Sequence, residues 1–237
     1  MVFSLLRSGA SFTEIIIRLL VTIPVVLLSL SVHEWAHGWV SYKCGDPTAK
    51  NLGRLTINPL KHLDLFGALA MLLFGFGWAK PVLVNSRYYK HPKWQMALVA
   101  SAGPISNLLI AFIATIISHL LLLIPSYASS VMTIALTGEV ESFGAALMYI
   151  VFRMVAQLEM LNIYLAVFNL LPIPPLDGSR ILFIFLPTKA YFSVMRYERY
   201  IQIALFVLLF AGALDVPLGW LANVIYTGMN NLVSLVV

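Results

Sequence analysis

The chain has 237 residues, 60% of them apolar and 11% charged, with a mean hydropathy of +0.90. A water-soluble domain cannot carry that composition, and apolar runs recur from Ile15 to the last residue instead of forming one leader, so a lipid environment and no cleaved signal are expected. The net charge of +5 comes from basic residues dispersed between apolar runs, which argues against nucleic acid, and the single cysteine, Cys44, excludes intrachain disulfides and cysteine-rich zinc motifs.

A spanning helix needs roughly 20 mainly apolar residues. Residues 1 to 14 read as an interfacial stub, and Ile15 to Tyr42 is the first core helix. The apolar stretch Leu65 to Trp78 is too short and glycine-rich to span, and it lies between two basic segments, so it is expected to be re-entrant. Its flanks, Leu52 to Asn58 and Pro81 to Asn85, have the branched-aliphatic content of strands, with Gly75, Gly77 and Pro81 punctuating the return. Trp94 to Ile124 and Ala145 to Leu171 are the second and third core helices, joined by a loop over 125 to 144. Ile201 to Leu214 and Leu218 to Val237, separated by Asp215 and Pro217, either form a polar-faced hairpin against the bundle, or the last one lies in the interface.

The expected fold is therefore an all-α polytopic membrane protein, a bundle of about 4–6 transmembrane helices with a re-entrant, partly β-stranded segment. One domain is expected over 1–237, with its core at 15–185 and a hydrophobic hairpin at 200–237. Sidedness follows from basic loops, which stay cytoplasmic. Residues 43 to 93 carry eight (Lys43, Lys50, Arg54, Lys61, Lys80, Arg87, Lys90 and Lys93), whereas 125 to 144 carry none. Residues 172 to 199 add Arg180, Lys189, Arg196 and Arg199. The C-terminal ends of the first and third core helices are thus expected at the cytoplasmic face of the cell membrane.

The first core helix ends in His33-Glu34-Trp35-Ala36-His37. On a helix the two histidines share one face with Glu34 beside them, the pattern by which zinc metalloproteases hold Zn2+ and place a catalytic base. Ionisable groups inside a spanning helix are costly and functional by default. Zinc with two histidines needs a third protein ligand, with the fourth position left to water. Asp177 is the best candidate: it follows Pro172, Pro174 and Pro175 just past the third core helix, and Gly178 permits a sharp turn back toward the bundle. His62 and Asp64 read either as a cap for the re-entrant segment or as groups orienting a zinc ligand. Arg153 and Gln157, four apart, share a face and bond each other or a neighbouring helix.

His33-Glu34-Trp35-Ala36-His37, Ala102-Gly103-Pro104-Ile105-Ser106-Asn107 and the run from Asn169 to Gly178 together resemble the site-2 protease family of intramembrane metalloproteases, over residues 30 to 185. Gly77-Trp78-Ala79-Lys80-Pro81-Val82 resembles the strand-forming segment of bacterial members. The resemblance implies zinc ligation by His33, His37 and Asp177, catalysis by Glu34 and a substrate-positioning amide at Asn169. Asn107 resembles the asparagine of the family's central helix, where it serves either substrate binding and catalysis or an interhelical bridge. The implied partners are transmembrane protein substrates, and a compact member without PDZ or CBS domain is expected. Two rival readings are a transporter or metal-binding membrane protein, which requires polar groups continuing across the bilayer, and an inactive relative that binds membrane proteins without cutting them.

Overall fold

The computed structural model describes residues 9, 11–74 and 78–236. Most of the expected N-terminal stub, and Gly75 and Gly77, lie outside the described residues. Three long helices form the core: α1 (Phe12–Lys43), α5 (Pro92–Leu122) and α7 (Phe143–Asn169). Each has a local reason to start. Ser11 and Glu14 make reciprocal capping bonds at α1, Pro92 opens α5 where its missing N–H costs nothing, and Ser142 Oγ accepts from Ala145 N–H at 3.1 Å. Helix α7 stops at Asn169, ahead of Pro172.

Helix α5 lies along both α1 and α7, which also touch each other. Its buried face carries Ala97, Ala100, Ala102, Gly103, Ala111 and Ala114, the small residues that let helix backbones approach closely where lipid supplies no hydrophobic drive. Outward faces carry Leu20, Leu28, Leu109 and Ile113, exposed as lipid contact requires. Side-chain bonds tie the bundle internally: Gln157 Nε2 donates to Thr22 Oγ1 (2.9 Å), Thr115 Oγ1 to Glu159 Oε1 (2.8 Å), and Asn162 Nδ2 to Ser29 Oγ (2.8 Å). Arg153 does not pair with Gln157; its guanidinium donates to Tyr149 OH on its own helix.

Among the described residues, three helices are long and apolar enough to cross a membrane, or four spans if the bent pair that follows the short helix α9 (Thr188–Arg196), α10 (Glu198–Phe210) and α11 (Asp215–Val233), crosses as one. That sets the lower end of the expected 4–6. The pair meets at 82°, not as an antiparallel hairpin. Helix α11 packs against the bundle, with Leu218 and Ala222 buried beside Ala111, Ile163 and Val167. The segment expected as a plain loop over 125–144 instead contains α6 (Pro125–Thr137), which buries Tyr127, Val131 and Ile134 at i, i+4 and i+7 and ends at Gly138.

Between α1 and α5 come two single turns, α2 (Thr48–Asn51) and α3 (Pro59–His62), then α4 (Leu65–Phe74). Ten residues of helix span about 15 Å, half a hydrocarbon core. The chain ends flanking this excursion meet again: Leu63 and Ala79 form an antiparallel bridge, and Lys80 N–H donates to His62 O at 2.8 Å. The strands expected at Leu52–Asn58 and Pro81–Asn85 do not form among the described residues; that bridge is the whole of the pairing. The reason is where the backbone donors go. Pro81 has none, and the N–H groups of Val82 and Asn85 are taken by the carboxylates of Glu34 and Asp46, each at 2.7 Å. The segment is an extended, side-chain-tethered ribbon.

Asp46 anchors that ribbon to the end of α1. It is fully buried and accepts from Ser41 Oγ, Thr48 N–H, Thr48 Oγ1 and Asn85 N–H. Burial alone would raise its pKa, but these bonds outweigh it and hold the carboxyl below the ordinary aspartate range. A carboxyl depressed in the fold stabilises fully above its unfolded value, about 3.9, and that contribution is lost as the pH falls below it. Asp46→Ala should therefore destabilise the detergent-solubilised protein by about 2–3 kcal/mol and open residues 79–91 to protease. In the wild type the same opening should appear under pepsin as the pH drops below about 4; unchanged cleavage in both cases would contradict the tie.

Candidate metal centre

His33 and His37 lie one turn apart on α1, with their Nε2 atoms 3.0 Å from each other. His33 is ten residues short of Lys43, or about 15 Å along the axis, inside the apolar stretch. The third group arrives from a different element. After α7 ends, the proline-rich turn leads to a short helix, α8 (Asp177–Leu182), whose first residue is Asp177. A Cβ on Gly178 would run into the carbonyls of Leu170 and Leu171. Glycine is thus what lets α8 fold back on the end of α7. Asp177 Oδ2 then stands 3.3 Å from His33 Nε2 and 3.2 Å from His37 Nε2.

The hydrogen bonds behind the histidines decide what those three atoms are. His37 Nδ1 lies 2.7 Å from Val99 O, a carbonyl that only accepts, so Nδ1 carries the proton and Nε2 of the neutral ring presents a lone pair. His33 Nδ1 lies 2.5 Å from Asn107 Oδ1. Asp177 Oδ2 is buried and has no ordinary hydrogen bond. Three electron-rich atoms within 3.3 Å of one another need a cation between them, and ligands at about 2.0–2.1 Å around a tetrahedral zinc are themselves roughly 3.3 Å apart. Among the described residues, His33, His37 and Asp177 are the group able to hold a metal ion, and their spacing fits zinc.

Helix α5 closes the back of this group. A Cβ on Gly103 would collide with the imidazoles of both His33 and His37. Glu34 faces the same cleft, where its Oε2 accepts Val82 N–H, so the ribbon Trp78–Val84 forms the opposite wall. Asn169 also lines the cleft, with its Nδ2 donated to Leu165 O at 2.9 Å. Asn107 does not; it is fully buried behind His33. Arg180 and Met96 sit at the rim, Arg180 Nη1 lying 3.6 Å from Met96 Sδ.

Other polar residues noted in the sequence stay outside the cluster. Asp64 Oδ1 accepts Gly67 N–H and caps α4, while His62 Nε2 bonds Thr56 O at 2.7 Å. Neither touches a ligand atom, and Cys44 is free. The groups that sequence reasoning passed over are Gly103 as a steric floor, the Val99 carbonyl and Asn162. The signal for Asn162 was its position seven before Asn169, on the same face of α7. The steric argument predicts that Gly103→Ala reaches the membrane and folds but binds zinc at least about 10-fold more weakly, as competition with a chromophoric chelator would report. Wild-type affinity in that variant would show that α5 does not close the site.

The profile of peptidase family M50 matches residues 21–212. The Bacillus subtilis protein named "Putative zinc metalloprotease YwhC" is 42% identical over 183 residues, 77% of this chain and 77% of its own length. A Mycobacterium tuberculosis protein named "Putative zinc metalloprotease Rip2" is 29% identical over 207 residues, 84% of this chain and 69% of its own. No solved structure matches the chain. With the match covering the part of α1 that carries both histidines and the short helix α8 that begins with Asp177, the chain belongs to peptidase family M50.

Proposed function

We propose that this chain is an intramembrane zinc metalloprotease that cuts peptide bonds in or near transmembrane segments of membrane proteins, with zinc held by His33, His37 and Asp177. The observation that carries the reading is the convergence of those three donor atoms in a cleft that Glu34 also faces. Bound there, zinc would supply a water nucleophile at neutral pH and polarise the scissile carbonyl.

The chain's own residues do the rest. Glu34 accepts the proton of the attacking water and returns it to the leaving amine. Asn169, at the last turn of α7, offers an amide that matches the free N–H and C=O of an unwound peptide. The ribbon from Ala79 to Val84 is already extended, so an opened substrate segment can lie along it as an added strand. On this reading the whole chain, 1–237, works as one membrane domain with its cleft toward the cytoplasm, an orientation supported by the eight basic residues between 43 and 93. A transport pathway is the weaker reading: Glu159, Thr115, Asn230, Gln157 and Thr22 continue the polar series, but they are bonded to one another as bridges and do not line the cleft.

Purified protein should hold about one zinc per chain, and a His33→Ala/His37→Ala double variant should hold none. Glu34→Gln should keep the metal and lose cleavage of a single-span substrate by roughly 100-fold or more, and Asn169→Ala should keep the metal and cut slowly. Equal zinc in wild type and double variant, or full activity in Glu34→Gln, would overturn the assignment. Cysteines placed near Lys50 and Arg87 should both resist labelling from outside intact cells; labelling of both would reverse the orientation, and labelling of one but not the other would mean that Leu65 to Trp78 spans.

A further inference from the structure

We infer that Asn162, on α7, dictates through Asn107 which ring nitrogen of His33 is free for the metal, and so acts as a positioning residue for that ligand. The inference rests on the metal-site reading above and adds a residue two hydrogen bonds away from it. Asn162 is fully buried among the three core helices. Its Nδ2 lies 2.7 Å from Leu158 O and 2.8 Å from Ser29 Oγ. Leu158 O only accepts. Ser29 Oγ spends its proton on Val25 O at 2.7 Å, so toward Asn162 it accepts as well. Both N–H bonds of the Asn162 amide are thereby committed, and its orientation is set by two backbone carbonyls, one directly and one through Ser29.

The direction then passes along the chain of amides. Asn162 Oδ1 lies 2.6 Å from Asn107 Nδ2, which must donate to it. Asn107 Oδ1 therefore faces His33 Nδ1 at 2.5 Å. An amide oxygen has no hydrogen to give, so His33 Nδ1 must carry the proton, and Nε2 keeps its lone pair toward His37 and Asp177. Turning Asn162 over would set oxygen against Leu158 O and NH2 against the NH2 of Asn107. With Asn162 removed, Asn107 is free to turn and donate to Nδ1, which stabilises the tautomer with hydrogen on Nε2, the form that cannot bind metal. His37 needs no such device, since Val99 O fixes its tautomer in one step.

The test uses full-length protein in detergent, with 15N-labelled histidine and His33 assigned by difference from a His33→Gln variant. Metal-free wild type should show His33 as the Nδ1–H tautomer. Asn162→Leu should add a resolved Nε2–H population and weaken zinc binding at least about 10-fold. Asn162→Asp should restore both readouts, because a protonated carboxyl can donate to Leu158 O while accepting from Asn107. Gln157→Leu, which breaks the separate bridge to Thr22 on the same helix pair, should leave both readouts at wild type. An Nε2–H tautomer in the wild type overturns the inference whatever the variants do. So does unchanged zinc affinity in Asn162→Leu, or equal losses in Asn162→Leu and Gln157→Leu, which would make Asn162 a helix bridge only. If wild type binds no zinc at all, the metal-site reading itself falls.

Discussion

Helix α5 can lie against α1 at the level of the histidines because position 103 carries no side chain. That close approach sets much else in the molecule. It brings Val99 O and Asn107 Oδ1, four residues to either side of Gly103, within bonding distance of one imidazole each. Both rings are thus held by α5 through Nδ1, and their Nε2 atoms converge over Gly103. The same approach lets Asn107 reach Asn162 on α7, so the contact that shapes the metal group also joins all three core helices.

Polar groups in the interior follow one rule: in lipid they must find partners within the protein. Thr22 with Gln157, Ser29 with Asn162, and Thr115 with Glu159 each pair residues on different helices. Between helices surrounded by apolar lipid such bonds and tight small-residue packing are the available cohesive forces. They do not extend the cleft; they close the bundle around it. Among the described residues three buried side-chain atoms stand without a hydrogen bond, His62 Nδ1, Tyr127 OH and Asp177 Oδ2, and the last of these lies at the point where His33 and His37 converge.

Much of this was legible in the sequence because it is periodic or sterically blunt. The three core helices lie within three residues of their expected ends, since long apolar runs bounded by capping and proline residues leave little choice. His33 and His37 meet because residues four apart share a helix face, and Asp177 returns because three prolines end α7 while Gly178 permits the fold-back. What sequence could not carry was partner choice. Branched aliphatics at Val82 and Val84 announce extended backbone, but whether the segment pairs depends on who takes its donors, and Glu34 takes that of Val82 and Asp46 that of Asn85. Helix α6 went unrecognised because its 13 residues are too few and too polar to be read as a span, and its stability comes from packing on α7. Asn162 is one of several amides on α7, and only the packing of the three helices decides which atoms it faces.

The two carboxylates of the site receive different surroundings, and this separates their proposed roles. Asp177 is aimed at the two imidazoles and has no backbone donor at Oδ2. Glu34 grows from α1 between the histidines in sequence, but about 100° around the helix from His33, and its Oε2 is held by Val82 N–H. A backbone donor of that kind keeps the carboxylate beside the donor cluster without joining it, where a base must stand to reach a water but not displace it. Because the donor belongs to the ribbon that forms the opposite wall of the cleft, the proposed base and the proposed peptide-binding edge are in register with each other by construction. The register is anchored at one end by the Leu63–Ala79 bridge and at the other by Asp46 on Asn85. A shift of the ribbon by one residue would put the N–H of Val82 on the opposite edge and leave Glu34 without its tether, so the position of the base depends on a segment that holds no catalytic side chain of its own.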